Sequence, residues 1–416
     1  MKQDEQKVPR ILLSVYACSP EWGSEVGTGW HWVHALSKFF PLHVITEEGF
    51  RKSIEAHLSD FDGRFLPEFH YVDIGEQART FFWTQGDWRF YKHYRNWQKK
   101  AYQTALKLHQ IRHFDIVHQL GMIGFREPGY LWRLPGNHLF FWGPIGGMGE
   151  IPWSYLPSLG VKTGLIYGIK NILNLIQEYG HWRVRKAIRR ADMLFAATIE
   201  NQKCIRTILG KESVLLNETG AEPSRSSVRS SQNECLNIVW CGVMESRKAL
   251  NLGLVAIQRL KQKKIPVKLH VLGGGHAEKR WHESLKTLNI EDFCVWYGKV
   301  EPVKVREVMD HADVMLITSI KEGTPHVLLE ALESGLPVVC HNAWGMSSVV
   351  NDKCGILVPL KSPLKSVSGF FNALTRLALD KQLLKDLSQG AFARAKELSW
   401  DNKAKIMASF YLETSL

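Results

Sequence analysis

The chain has 416 residues, 45% of them hydrophobic, and 53 Lys and Arg against 41 Asp and Glu give a formal net charge of +12. At about 150 residues per domain this length predicts two or three domains with full cores, which argues against a disordered chain, a peptide scaffold or a fibre. The seven cysteines (18, 204, 235, 241, 294, 340, 354) include no C-x-x-C pair, so neither a disulfide framework nor a zinc site is expected, and a reducing, cytoplasmic setting is.

The opening MKQDEQKVPR is charged and lacks the apolar centre of a signal peptide. No run of about 18 apolar residues follows; LGVKTGLIYGIKNILNLI (159–176) is interrupted by Lys162 and Lys170 and reads as an amphipathic helix. Apolar, β-branched runs alternate with helix-sized intervals. The first series is 11–17, 42–46, 115–120, 138–143, 193–198 and 214–217, and the second is 237–242, 268–273, 294–298, 314–319, 336–341 and 355–359. Runs apolar on both faces suit buried parallel strands joined by helices. The fold class is α/β, doubly wound. EPSRSSVRSSQNE (222–234) is polar, Ser-rich and aperiodic, and reads as a linker between two Rossmann-like domains. The expected boundaries are 1–221, 222–234 and 235–397, with a terminal helix over 398–416.

Glycine-rich turns follow several of these strands. ACSPEWGSEVGTGWHWVHAL (17–36) opens the first helix and holds Gly23, Ser24 and Glu25, without the G-x-G-x-x-G of a dinucleotide site. FDIVHQLGMIGFREPG (114–129) places His118 at a strand end, and FWGPIGGMGEIP (141–152) contains Gly146 and Gly147. Beyond the linker come GVMESRKALNLGLVAI (242–257), beginning at Gly242 and carrying Arg247 and Lys248, and VLGGGHAEK (271–279), with Gly273 and Gly274.

SIKEGTPHVLLEALESGLPVVC (319–340) carries the most chemistry. A strand ends, Glu322 and Gly323 form a loop, Thr324 is expected at the N-cap and Pro325 at the first helical position, and Gly335 stops the helix. Amides at such a helix start face an anion with the helix dipole behind them. Glu330, one and a half turns in, can accept hydrogen bonds from two vicinal hydroxyls, as on a ribose. Glu322 and Glu330 thus bracket a ligand with an anionic middle and hydroxyl-rich ends, a nucleotide-diphospho-sugar.

The pattern E-G-x-P-x-V-x-x-E-A-x-x-x-G-x-P-V-V over 322–339 resembles the signature of family 4 glycosyltransferases, retaining enzymes of the GT-B fold. The resemblance implies two Rossmann-like domains facing across a cleft. Glu322 would face the donor sugar and Glu330 hold the nucleotide ribose, with Gly323, Thr324, Pro325 and Val327 in the same donor-binding segment. Arg247 and Lys248 would hold the diphosphate and stabilise its departure. Val243 stands where many members have Arg, and Ala249 where Gly is common. Gly242, Gly273 and Gly274 would lie beside the nucleotide, Gly23 and Ser24 would touch the donor phosphates, and His118 would contact the sugar. Glu25, Gly146 and Gly147 would line the acceptor side. No metal and no cofactor beyond the donor is implied, and the terminal helix would return to the N-terminal domain with Ile406, Met407, Phe410 and Tyr411 buried.

Basic and aromatic residues interleave in 81–102 and again in 181–190. This suits an anionic inner-leaflet surface where a lipid-linked acceptor waits. No single-strand platform or major-groove helix pattern accompanies the charge, so no nucleic-acid partner is expected. The competing readings are a non-catalytic GT-B binding or assembly protein and a sugar-nucleotide epimerase of related fold.

Overall fold

The structure, a computed structural model, describes residues 8–76, 88–223 and 234–414. Strands β1 (Ile11–Ser14), β2 (Leu42–Glu47), β3 (Glu68–Val72), β4 (Ile116–Gln119), β5 (Leu139–Ile145), β6 (Met193–Ala196) and β7 (Val214–Leu215) form one sheet. Its spatial order is β3-β2-β1-β4-β5-β6-β7. Strands β8 (Leu236–Cys241), β9 (Val267–Leu272), β10 (Cys294–Gly298), β11 (Val314–Ile317), β12 (Val338–His341) and β13 (Gly355–Val358) form the second, in the order β10-β9-β8-β11-β12-β13. Every pairing is parallel.

Each apolar run contains a strand. The unanticipated one, β3, is a sheet edge whose EFHYV sequence is half exposed, so burial did not impose an apolar pattern on it. In both sheets the chain winds outward from its first strand, then returns to that strand's other side, at β4 and at β11. Ligands on open parallel sheets bind where this reversal occurs, beyond the strands' carboxyl ends. The segments leaving β1, β4, β8 and β11 are therefore the ones that build the cleft.

The two cores do not follow the expected boundaries. Helix Trp400–Glu413 returns to the first domain, as anticipated, and buries Trp400, Ala404, Met407 and Tyr411 in its core. Ile406 is an exception, since it faces solvent. Ile151, Tyr155 and Leu159, from before residue 221, belong to the core of the second domain, where the Tyr155 hydroxyl meets Ser366 Oγ at 2.6 Å. The crossing chains are laced together where Ala221 N–H donates to Leu398 O (2.9 Å) and Trp400 N–H to Ala221 O (3.2 Å). The linker lies mostly outside the described residues.

The basic, aromatic stretch 81–102 is described from residue 88 onward, so Trp83 and Asp87 fall outside the description. Helix Trp88–Arg112 sorts its two residue classes by face: Tyr94 and Trp97 are buried edge-on against Tyr16 at 5.0 and 4.9 Å, while Lys92, Lys99 and Lys100 point outward. In 181–190, Arg183 is buried on Glu127 at 3.0 Å, and Arg95 reaches the same carboxylate at 2.9 Å. Tyr94 and Trp97 are therefore core, while Tyr91 and Trp182 are exposed, and part of the basic charge is structural.

Candidate active site

At the reversal point of the second sheet, the loop after β8 and the loop after β11 are tied to one another. Ile320 N–H donates to Arg247 O (2.9 Å). Thr318 Oγ1 donates to Lys248 O (2.6 Å) and accepts from Trp240 Nε1 (3.1 Å). Ala249 is left-handed at φ +47°, which explains why glycine suits that position. This scaffold brings three predicted residues together. Glu322 Oε2 lies 2.7 Å from Arg247 Nη1 and 2.8 Å from Lys248 Nζ, and Arg247 Nε also meets Glu245 at 2.8 Å. Burial alone would raise the Glu322 carboxyl, but Lys248 and Arg247 outweigh it and hold it below the ordinary range.

The helix of the signature spans His326–Glu333 and ends, as anticipated, before Gly335 at φ +67°. Its start is shifted from the expected one: Pro325 occupies the N-cap. Thr324 is not the cap because Glu218 claims it, accepting from its amide at 2.6 Å and from its hydroxyl at 3.0 Å. A Cβ on Gly323 would come within 2.6 Å of Glu218 Oε1 and displace this carboxylate. Glu218 immediately follows the expected strand 214–217, in the polar run NETG, and sequence reasoning missed it. Asn217, next to it, donates to Thr324 Oγ1 at 3.0 Å and Ser348 Oγ at 2.7 Å. The same polar run after a strand was the signal available for both.

Glu330 and Val327 line a cavity of about 780 Å³ with Cys241, Val300, Arg306 and His326. The apolar wall suits a flat ring and the carboxylate its attached hydroxyls. Gly242 and Gly273 touch behind it. A Cβ on Gly273, itself at φ +120°, would stand 2.0 Å from Gly242 O, so these glycines serve loop-to-loop approach. Gly274 accepts from Met244 N–H at 2.9 Å in the same contact.

The first domain closes the other side. Trp22, Gly23, Ser24 and His31 face His326, Glu330 and Arg306 across a cavity of about 190 Å³. The loop after β1 therefore faces helix His326–Glu333. Glu25 is buried deeper, accepting from Ile123 N–H at 3.0 Å. Burial, with Glu218 nearby, pushes its carboxyl up to about 7. Gly146 is used in pairing the loops after β4 and β5, its N–H donating to Ile123 O, and Gly147 stands near Arg126 at φ +84°. Beyond them, Gly149 O accepts from Lys321 Nζ. Lys321, also missed in the sequence, is held down to about 8 by burial.

His118 is a correction. It is fully buried, with Nδ1 2.6 Å from the Tyr411 hydroxyl and Nε2 2.8 Å from Gly143 O. A carbonyl only accepts, so Nε2 carries the proton. Burial lowers the ring to about 4 and keeps it neutral, so Nδ1 accepts from Tyr411. The histidine fastens the terminal helix to the first sheet and touches no cleft. His118→Leu is expected to cost about 2–5 kcal/mol by removing two buried hydrogen bonds, read as a lower melting temperature, with turnover per folded molecule unchanged. A selective loss of turnover at full stability would restore a role in the reaction.

Two parallel Rossmann-like domains whose strand ends meet across a cleft define the GT-B class. Residues 229–394 match the family model for glycosyl transferases group 1. It is 27% identical over 236 residues to the putative colanic acid biosynthesis glycosyltransferase WcaL of Escherichia coli (strain K12), covering 52% of this chain and 56% of that one. Over 82 residues it is 40% identical to the lipopolysaccharide 1,6-galactosyltransferase of the same strain, covering 19% and 23%. The chain thus spans little more than half the length of the first of these curated relatives, and less of the second. The solved lipopolysaccharide outer core galactosyltransferase WaaB, in its apo form, superposes with a TM-score of 0.62 at 14% identity, over 97% of this chain and 99% of that one.

Proposed function

We propose that this chain is a family 4-like glycosyltransferase of bacterial surface polysaccharide or lipopolysaccharide assembly. It transfers a hexose-type sugar from a nucleoside diphosphate, a UDP-sugar, to a hydroxyl of a glycan or lipid-linked acceptor, with retention and without a metal ion. The observation that carries this is the Arg247–Glu322–Lys248 cluster, set where the second sheet reverses and beside the cavity that Glu330 lines. The names of the similar proteins support the setting.

The chemistry follows from the charges. A donor diphosphate entering between the domains competes with Glu322 for Arg247 and Lys248. Re-paired to phosphate, these cations stabilise the negative charge that grows as the bond to the sugar breaks, while Glu322 is released to accept from sugar hydroxyls. The departing phosphate oxygen takes the acceptor proton, so no separate base is needed. Cleft closure excludes water from the cationic sugar.

The test is turnover of UDP-, GDP- and ADP-sugars by the purified chain with EDTA present. One nucleotide class should be consumed at a rate EDTA does not change, with NMR showing the donor's anomeric configuration kept in the product. Consumption of none would favour the binding or assembly protein, and free epimerised sugar without an acceptor would favour the epimerase.

A further inference from the structure

Helix Val161–Gly180 is built inside out. It buries Gly164, Gly168, Asn171, Asn174 and Glu178, spaced three and four apart along one face. This polar face grips the loop after β5. Asn171 Nδ2 donates to Ile151 O (2.8 Å) and its Oδ1 accepts from Ile151 N–H (3.1 Å). Asn174 Nδ2 donates to Gly149 O (2.8 Å), and Glu178 Oε1 accepts from Gly149 N–H (2.6 Å). Leu165, Ile166, Ile169, Ile172, Leu173 and Ile176 are turned to solvent, Leu165 67% and Ile176 62% exposed. A helix of a water-soluble domain buries its apolar stripe. This one displays it along 20 residues, roughly 30 Å, and a contiguous apolar face of that size marks a docking surface.

Charge selects what docks. Lys162 and Lys170 are exposed on the same helix, and Lys186 and Arg189 on the next one, Trp182–Arg190. From Val161 to Arg190 the sole acidic residue is Glu178, which is buried. Trp153, beside Gly168, and Trp182, just past the helix end, are both more than half exposed. A second copy seated here would bring like charges together. An anionic bilayer neutralises them, accepts the aliphatic face and takes tryptophan rings at its headgroup level. Among the described residues no helix is long and apolar enough to cross a membrane.

We propose that helix Val161–Gly180 lies in the plane of an anionic lipid bilayer, its isoleucines and leucines at the acyl boundary. This places the lipid contact on a helix that neither 81–102 nor 181–190 contains. Its buried side, opposite the docked one, holds the Gly149 loop, whose carbonyl meets Lys321 beside Glu322, so the cleft lies on the far side of the helix from the lipid. The lipid contact stands alone; only delivery of a lipid-linked acceptor to that cleft rests on the transferase reading.

Co-sedimentation of the full chain with phosphatidylcholine vesicles, with and without phosphatidylglycerol, tests it. The wild type should partition to the anionic vesicles. Ile169→Asn/Ile172→Asn/Ile176→Asn should cut partitioning at least tenfold with an unchanged melting curve, because the replaced side chains are solvent-exposed. Lys162→Gln/Lys170→Gln should weaken it by roughly 25-fold, about fivefold per lysine, on anionic vesicles only. A wild type that stays in the supernatant overturns the proposal. So does a lipid-free dimer that the triple variant converts to monomer, which would assign the face to a second copy. A chain that partitions yet turns over no nucleotide sugar supports the lipid contact and overturns the proposed activity instead.

Discussion

Lys248→Ala is expected to lower kcat by about 10²–10³-fold, the cost of removing one preorganised charge donor from a developing anion. Lys248 Nζ sits 2.8 Å from Glu322, with both side chains 13% exposed, so water is poorly placed to replace it. The negative charge grows as the diphosphate leaves, so the loss should fall on kcat more than on donor KM. Arg247 is bound to the same Glu322 oxygen and is expected to behave alike, with a smaller effect because Glu245 and Lys321 O also hold its guanidinium. Single-turnover rates with the preferred donor make the measurement. A Lys248→Ala enzyme within threefold of wild type would remove the lysine from the reaction.

Glu330→Ala should act on binding. A carboxylate that accepts from two ribose hydroxyls contributes roughly 1.5–3 kcal/mol per charged hydrogen bond, so donor KM should rise about 10²- to 10⁴-fold while kcat changes little. Calorimetric affinity for the free nucleoside diphosphate should fall by the same factor. The variant should fold normally, since Glu330 stands on the open wall of its cavity. Glu330→Gln should recover part of the affinity, the amide oxygen still accepting. Equal affinity in all three forms would mean that the nucleotide lies elsewhere.

Both expectations rest on residues legible in the sequence. Arg247 and Lys248 stand just after a strand, and the E-G-x-P segment just after another. A parallel sheet puts the exits of neighbouring strands side by side, so their order along the chain already implied proximity. His118 shows where that logic stops. A strand end can point into the cleft or into the core, and here the choice went to the Tyr411 hydroxyl on a helix 293 residues away. Glu218 failed for the opposite reason. An isolated glutamate in a short polar run has no periodicity, and its purpose appears only when Thr324 is brought to it from the other domain.

The two doubly wound sheets, the reversal loops and the signature's two glutamates were legible in the residues alone, because apolar strand runs and glycine turns are local properties. So was the terminal helix. Tertiary structure decided which face of each helix is inward. Helix Val161–Gly180 has one apolar and one polar side by sequence, and amphipathicity alone assigns the apolar side to the core. The buried asparagines and glutamate reverse this because they satisfy the backbone of the Gly149–Ile151 loop, whose polar groups would otherwise be buried unpaired. That demand comes from residues distant in sequence, and no periodicity within the helix encodes it.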